Sequence, residues 1–262
     1  MIAAHYDHVA SHPAPRSLHQ ARRYEHNQVK RFLLSQVAVM LQNNVRVVVD
    51  LACGKGGDLQ KVVSAFPESL YIGIDISGES LTELYRRASR DGLCDRIVCA
   101  QMCATKLSLP QPADVVMMNF ALHYMASSQT LFESLLDAIS RNLRPGGLFV
   151  GCCVDWRRLQ RGDCEGVVQT GDALQNLLEN PWGRKYRFVL PGCVDADEYA
   201  VCLPAIVPLA HKYGLELVRF RGFDGFLRSC QYEPCCSSSN SMYAVFVFRQ
   251  TRVPHNAPAC SH

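Results

Sequence analysis

Residues 47–58 read VVVDLACGKGGD: an apolar run, an acid at Asp50 near its end, glycines at Gly54, Gly56 and Gly57, and then the opening of a helical pattern at Asp58. Glycines at such a turn permit positive φ and let the backbone approach a ligand closely, while the following helix N-terminus presents free N–H groups. The arrangement suits a nucleotide-like ligand. It is not a phosphate loop, because G-x-x-x-x-G-K-[ST] is absent, and G-x-G-x-x-G fails because Leu59 stands where its last glycine belongs. A tight structural connection is the bland alternative. Asp75 argues against it, since it ends the next apolar run in YIGIDIS, where a carboxylate can accept hydrogen bonds from both hydroxyls of a ribose. The competing role for Asp75 is to cap the helix that follows.

Outward from this stretch, short apolar runs alternate with helical patterns. Strands are expected at Val45–Asp50, Leu70–Asp75, Arg96–Ala100, Ala113–Phe120 and Leu148–Cys153, with helices at 58–65, 77–91 and 127–143. Such alternation predicts an α/β fold with a parallel sheet covered on both faces. Arg144-Pro-Gly-Gly147 reads as a turn into the fifth strand. Beyond Cys153 a mixed segment precedes a helix at about 195–213, a strand at 215–221 and a terminal strand at 241–248, apolar on both faces. Upstream, Val29, Phe32, Leu33, Val37, Met40 and Leu41 recur at helical spacing, so 18–43 is expected to be a helix and 1–17 an irregular arm.

The whole chain has 262 residues, 48% of them hydrophobic and 19% charged, which fits one globular domain. No run approaches the roughly eighteen apolar residues needed to span a bilayer, and residues 1–17 lack an apolar signal core, so a protein neither secreted nor membrane-bound is expected. The 13 cysteines are odd in number and show no C-x-x-C spacing, which predicts free thiols and no metal. A net charge of +3 is too small for broad non-specific nucleic-acid binding.

D-L-x-C-G-x-G-G with a strand-ending Asp75 resembles the Rossmann-like S-adenosylmethionine-dependent methyltransferases. Further segments resemble one branch, the mRNA cap guanine-N7 methyltransferases. They are His5-Tyr6, Arg23 with HNQVK at 26–30, CGKGGDLQK at 53–61, NFALHY at 119–124, RPGGLFVG at 144–151, GRKYRFVLPGCVDADEY at 183–199, HKYGLELV at 211–218 and SMYAVFVF at 241–248. His-Tyr after the fourth strand together with V-D-x-x-E-[FY] is the specific part. The resemblance implies a doubly wound sheet, mostly parallel with a reversed last strand, preceded by an N-terminal helical arm. It also implies a single domain over 1–249, with its cofactor half at 44–153 and its cap half at 154–249, and a tail at 250–262.

For the site, the resemblance implies S-adenosylmethionine held by Lys30, Asp50, Gly54, Asp75, Gln101 and Asn119 and released as S-adenosylhomocysteine. The cap guanine would be held by Phe120, His123, Tyr124, Glu198 and Tyr243. It further implies capped RNA as partner, other capping enzymes or the transcription machinery as associates, and the nucleus, or alternatively the cytoplasm, as location. Two departures from the family pattern stand out. Val154 replaces a frequent proline, and CAQMCATKL at 99–107 lacks the usual acid beside the adenine, leaving Gln101 or Met102-Cys103 to serve there.

Guanine N7 presents a lone pair and carries no proton, so its methylation needs no base, and positioning does most of the work. Glu198 could accept from guanine N1 and N2 and stabilise the forming cation, and His123 could donate to O6. The bland alternative makes Glu198, with Asp195 and Asp197, a solvated helix start. Arg16, Arg22 and Arg23 lie in a basic stretch suited to the cap triphosphate and RNA backbone, as do Arg157, Arg158 and Arg161. Other function classes are a methyltransferase of small molecules and a cap-binding scaffold without activity.

Overall fold

A computed structural model describes residues 19–162, 164, 166–169, 174, 176–190, 194–232 and 242–252, without the side chains of 19–22, 169 and 190. His5, Tyr6, Arg16 and the side chain of Arg22 therefore lie outside the described residues.

The chain opens with α1 (His19–Met40), whose buried stripe is Val29, Leu33, Leu34, Val37 and Ala38. Gln42 and Asn43 take positive φ and end the helix, with the Asn43 N–H donating back to the Ala38 carbonyl. There follow β1 (Val47–Leu51), α2 (Leu59–Ala65), β2 (Leu70–Asp75), α3 (Gly78–Arg90), β3 (Ile97–Gln101), β4 (Ala113–Asn119), α4 (Leu122–Met125), α5 (Gln129–Asn142) and β5 (Leu143–Val154). The remaining elements are α6 (Trp156–Arg161), β6 (Val167–Gln169), β7 (Lys185–Leu190), β8 (Val194–Tyr199), α7 (Leu203–Lys212), β9 (Leu215–Gly222), α8 (Phe223–Ser229) and β10 (Tyr243–Gln250).

Seven strands form one sheet in the order β3-β2-β1-β4-β5-β10-β9. The first five are parallel, and β10 is inserted antiparallel to both β5 and β9. All five residues of β1 are buried, as expected for a central strand covered on both faces. One face packs on α5 and α7 through Val49, Val116, Phe132, Leu136, Phe149 and Ile206. The other packs on α1, α2, α3 and α8 through Val48, Val62, Leu84, Met117, Val150 and Phe226. Asp114 fixes the start of β1 by accepting from the Arg46 and Val47 N–H groups. Because β2 and β4 flank β1 on opposite sides, the chain reverses direction there, and a crevice opens beyond the carboxyl ends of β1 and β4.

Two expectations are corrected. Arg144–Gly147 is not a turn preceding the strand. It lies within β5, which starts at Leu143 and absorbs a register shift opposite Ala113 and Val115 with Gly146 at φ +75°. Residues 195–199 are not a helix start. They belong to β8, the third strand of a small antiparallel sheet in the order β6-β7-β8, and the helix begins only at Leu203. That sheet buries Tyr186 and Phe188 against Val154, Leu159 and Met242, placing it over the ends of β5 and β10. It also packs β8 against α4.

Candidate active site

The glycine turn between β1 and α2 is held open by backbone that L-side chains disfavour: Ala52, Gly54 and Gly56 have φ of +56°, +51° and +69°. At Gly56 a side chain is excluded twice over, since a Cβ there would also run into Leu84 of α3. Asp75, at the end of β2, ties this turn to the next element. Its Oδ2 accepts the Gly54 N–H at 2.7 Å and its Oδ1 accepts the Ser77 N–H at 2.9 Å. Each oxygen keeps a further lone pair for a ligand hydroxyl. The capping alternative for Asp75 is excluded, because Ser77 is the N-cap of α3 and accepts from the Ser80 N–H.

Gly54 and Asp75 line a cavity of about 440 Å³ at the crevice, together with Ile76, Met102, Cys103, Asn119, Phe120 and Tyr124. Of the two choices for the wall beyond β3, the structure places Met102 and Cys103 on the cavity, whereas the Gln101 amide turns back to donate to the Ile76 carbonyl. Asp50 lies beneath the turn and accepts from the Tyr71 hydroxyl at 2.6 Å. Burial, reinforced by nearby Asp58, pushes its carboxyl up to about 8. Neither Asp50 nor Lys30 lines the cavity. Lys30 instead sits 2.6 Å from Asp58 Oδ1 and 5.5 Å from the Phe120 ring centroid. Burial alone would raise the Asp58 carboxyl, but the ammonium groups of Lys30 and Lys61 outweigh it and hold the group below its ordinary value. Asn119 joins this network by donating to Asp58 Oδ2 at 3.0 Å. Its own Oδ1 is buried without a partner among the described residues, an acceptor left over on the cavity wall.

Phe120, at φ +55°, turns the chain from β4 into α4 and carries the site from this cavity to a cluster of rings. It packs edge-on to Tyr243 at 4.9 Å, and His26 of α1 lies 5.2 Å from Phe120 and 5.0 Å from Tyr243. Phe223 completes the cluster. His123 and Glu198 are both buried, and His123 Nε2 stands 3.5 Å from Glu198 Oε1. Burial depresses His123 to about 3 and raises Glu198 to about 7, so the imidazole is neutral near neutral pH and the carboxyl titrates there. Neither ring nitrogen of His123 has a hydrogen-bond partner among the described residues. The Glu198 Oε2 accepts from the Tyr186 hydroxyl at 2.6 Å.

The structure thus brings together His123, Tyr124 and Glu198 across 75 residues of sequence, and Phe120 with Tyr243 across more. Arg157 chelates Asp155 and lies over the Phe220 ring, and Arg158 pairs with Asp224, contacts that favour a structural role for this pair. Arg23 is exposed. Reasoning from sequence missed Asp58, Lys61, Tyr186, His26 and Phe223. Asp58 closes the glycine motif and His26 opens HNQVK, so both stood in recognised segments, but their partners lie on other elements.

An open sheet of this strand order, with a glycine turn and an acid at the ends of its first two strands, is the sheet of the Rossmann-like methyltransferase fold. Among solved structures, the N-methyltransferase NodS from Bradyrhizobium japonicum WM9 in complex with S-adenosyl-L-homocysteine superposes with a TM-score of 0.59 over 95% of this chain and 98% of that one, at 14% identity. The mRNA (guanine-N(7))-methyltransferase domain matches residues 1–238, and the chain belongs to that family. It is 32% identical over 213 residues to mRNA cap guanine-N(7) methyltransferase 1 of Oryza sativa subsp. japonica, covering 71% of this chain and 58% of the relative. It is 30% identical over 224 residues to the mRNA cap guanine-N(7) methyltransferase of Schizosaccharomyces pombe, covering 78% and 62%. The chain therefore spans less than two thirds of the length of these curated relatives.

Proposed function

We propose that this chain transfers a methyl group from S-adenosylmethionine to N7 of the cap guanosine of GpppN-RNA. The observation that carries the reading is that Phe120 and Tyr124 line the Asp75 cavity while Phe120 packs on Tyr243 and His123, in ring contact with Tyr124, faces Glu198, in a chain of the cap methyltransferase family.

The cavity suits the cofactor. Asp75 offers two acceptor oxygens to a ribose diol, the unpartnered Asn119 Oδ1 offers an acceptor to an ammonium group, and Met102 and Cys103 offer a soft wall to a purine. Lys30 would reach a cofactor carboxylate by exchanging part of its bond to Asp58. Asp50 supports the turn from beneath. When bound, S-adenosylmethionine supplies an electrophilic sulfonium methyl.

The protein's own contribution is positional and electrostatic. Phe120 and Tyr243 hold the base plane against the cavity, and a reacting atom kept about 3 to 3.5 Å from its target gains most of what proximity can give. Glu198 accepts from the N1 and N2 donors, and its charge stabilises the cation that forms as N7 gains the methyl. The neutral His123 has an N–H available for O6. No side chain removes a proton from N7, because there is none. Capped RNA as substrate, contact of Arg16, Arg22 and Arg23 with its phosphates, association with other capping enzymes or the transcription machinery, and nuclear location belong to this proposal, as does the division into a cofactor half and a cap half. No described helix is long and apolar enough to cross a membrane.

Incubation with labelled S-adenosylmethionine and a panel of GpppN-RNA, free GTP and uncapped RNA tests it. Label confined to N7 of capped RNA is the expected result. Label on free GTP or on small molecules alone would replace the reading by a small-molecule methyltransferase, and cap binding without label by a scaffold.

A further inference from the structure

We infer that Tyr186 is a positioning residue for Glu198, holding that carboxylate in the orientation and charge state that guanine recognition requires. The inference rests on the reading of Glu198 given above and adds a residue that touches neither cofactor nor guanine.

Tyr186 and Glu198 face each other directly across β7 and β8, the closest kind of side-chain neighbours in a sheet. Alternation along β8 sends Asp195 and Asp197 to the outer face, where they pair with Arg187 and Lys185, and Glu198 to the buried face. The Tyr186 ring is locked into the core with Leu159, Phe188 and Met242 and is only 1% exposed. Its hydroxyl cannot swing to water, and it donates to Glu198 Oε2 at 2.6 Å, a distance typical of a charge-assisted O–H···O bond. The other carboxylate oxygen faces His123 at 3.5 Å, too far for a good hydrogen bond, and is the one left for a ligand. A buried carboxylate with only this one tether among the described residues would reorient, or take up a proton, without it. Among the described residues, the titratable groups facing the pair are His123 from α4, Tyr243 from β10 and Cys164. His123 is held neutral by burial, so Tyr186 is the donor that favours the anion.

Tyr186→Phe keeps the ring and removes the donor. Two measurements test the inference. In the first, the Glu198 carboxyl is followed by carbon-13 NMR through a pH titration of the free protein, its signal identified by loss in Glu198→Gln. The midpoint should rise by about one to two pH units in Tyr186→Phe, the equivalent of one lost charged hydrogen bond. A fluorinated tyrosine at 186, a stronger donor of nearly the same size, should lower it. An unmoved midpoint would overturn the inference. In the second, the acid limb of the kcat/KM profile on GpppN-RNA should move up with the carboxyl, giving roughly a five- to fiftyfold loss near pH 7 that largely recovers by about pH 10. An equal loss at every pH would reduce Tyr186 to core filling. A moved midpoint in a protein that never methylates capped RNA would sink the proposed function and leave the Tyr186–Glu198 coupling standing.

Discussion

Replacing Glu198 by Gln should stabilise the fold at alkaline pH and cripple methyl transfer, and the two effects share one cause. Burial lifts the Glu198 carboxyl from its ordinary 4.5 to about 7, even with Tyr186 donating to it. Between those values the folded protein binds a proton that the unfolded chain has lost, so stability from this group is present below pH 4.5 and disappears as pH rises through about 7. At about 1.4 kcal/mol per unit, the anion costs at most roughly 3 kcal/mol of stability above pH 8. Gln escapes that cost, keeps a carbonyl for the Tyr186 hydroxyl, and does not titrate. It should therefore match wild type at pH 5 and exceed it by about 1 to 3 kcal/mol at pH 8.5 in chemical denaturation. On capped RNA the amide can satisfy one guanine donor but supplies no charge to the forming cation. A charged hydrogen bond of about 2 to 3 kcal/mol corresponds to roughly a thirty- to hundredfold loss of kcat/KM, and Glu198→Ala should lose more by leaving both donors bare. Cofactor affinity should not move in either variant. Wild-type transfer rates in both, or a stability gain of Gln over wild type no larger at pH 8.5 than at pH 5, would refute the reasoning.

Asp75→Ala removes the acceptor for a ribose diol, so calorimetric titration should show S-adenosylmethionine affinity down about ten- to a hundredfold in a folded protein; unchanged affinity would remove Asp75 from the site. Gly56→Ala adds a methyl against buried Leu84 at positive φ, and thermal unfolding should show a loss of about 2 to 4 kcal/mol, a midpoint several degrees lower. Charge reversal of Arg22 and Arg23 together should raise KM for capped RNA and flatten its salt dependence while sparing cofactor affinity, and an unchanged salt slope would return both to a solvated helix face.

The amino-acid sequence by itself determined the alternating α/β sheet and the glycine turn and acid of the proposed cofactor site. Val47–Asp58 and Asp75 were legible because their message is local: apolar runs of strand length, glycines where the backbone must take positive φ, and an acid one strand further on. The edges of β2 and the reach of α1 followed from periodicity for the same reason. The proposed cap pocket was legible only through resemblance. Read locally, DADEY at 195–199 looks like the acidic first turn of a helix, and only pairing with β7 and packing on α4 makes it a strand that buries Glu198 beside His123. The same holds for Tyr186, for Asp58 gathering Lys30, Lys61 and Asn119, and for His26 among the rings of Phe120 and Tyr243. These groups come together from distant parts of the chain, and the free energy that assembles them is the burial of the surfaces carrying them, a sum over the whole core that outweighs the preference of any one segment.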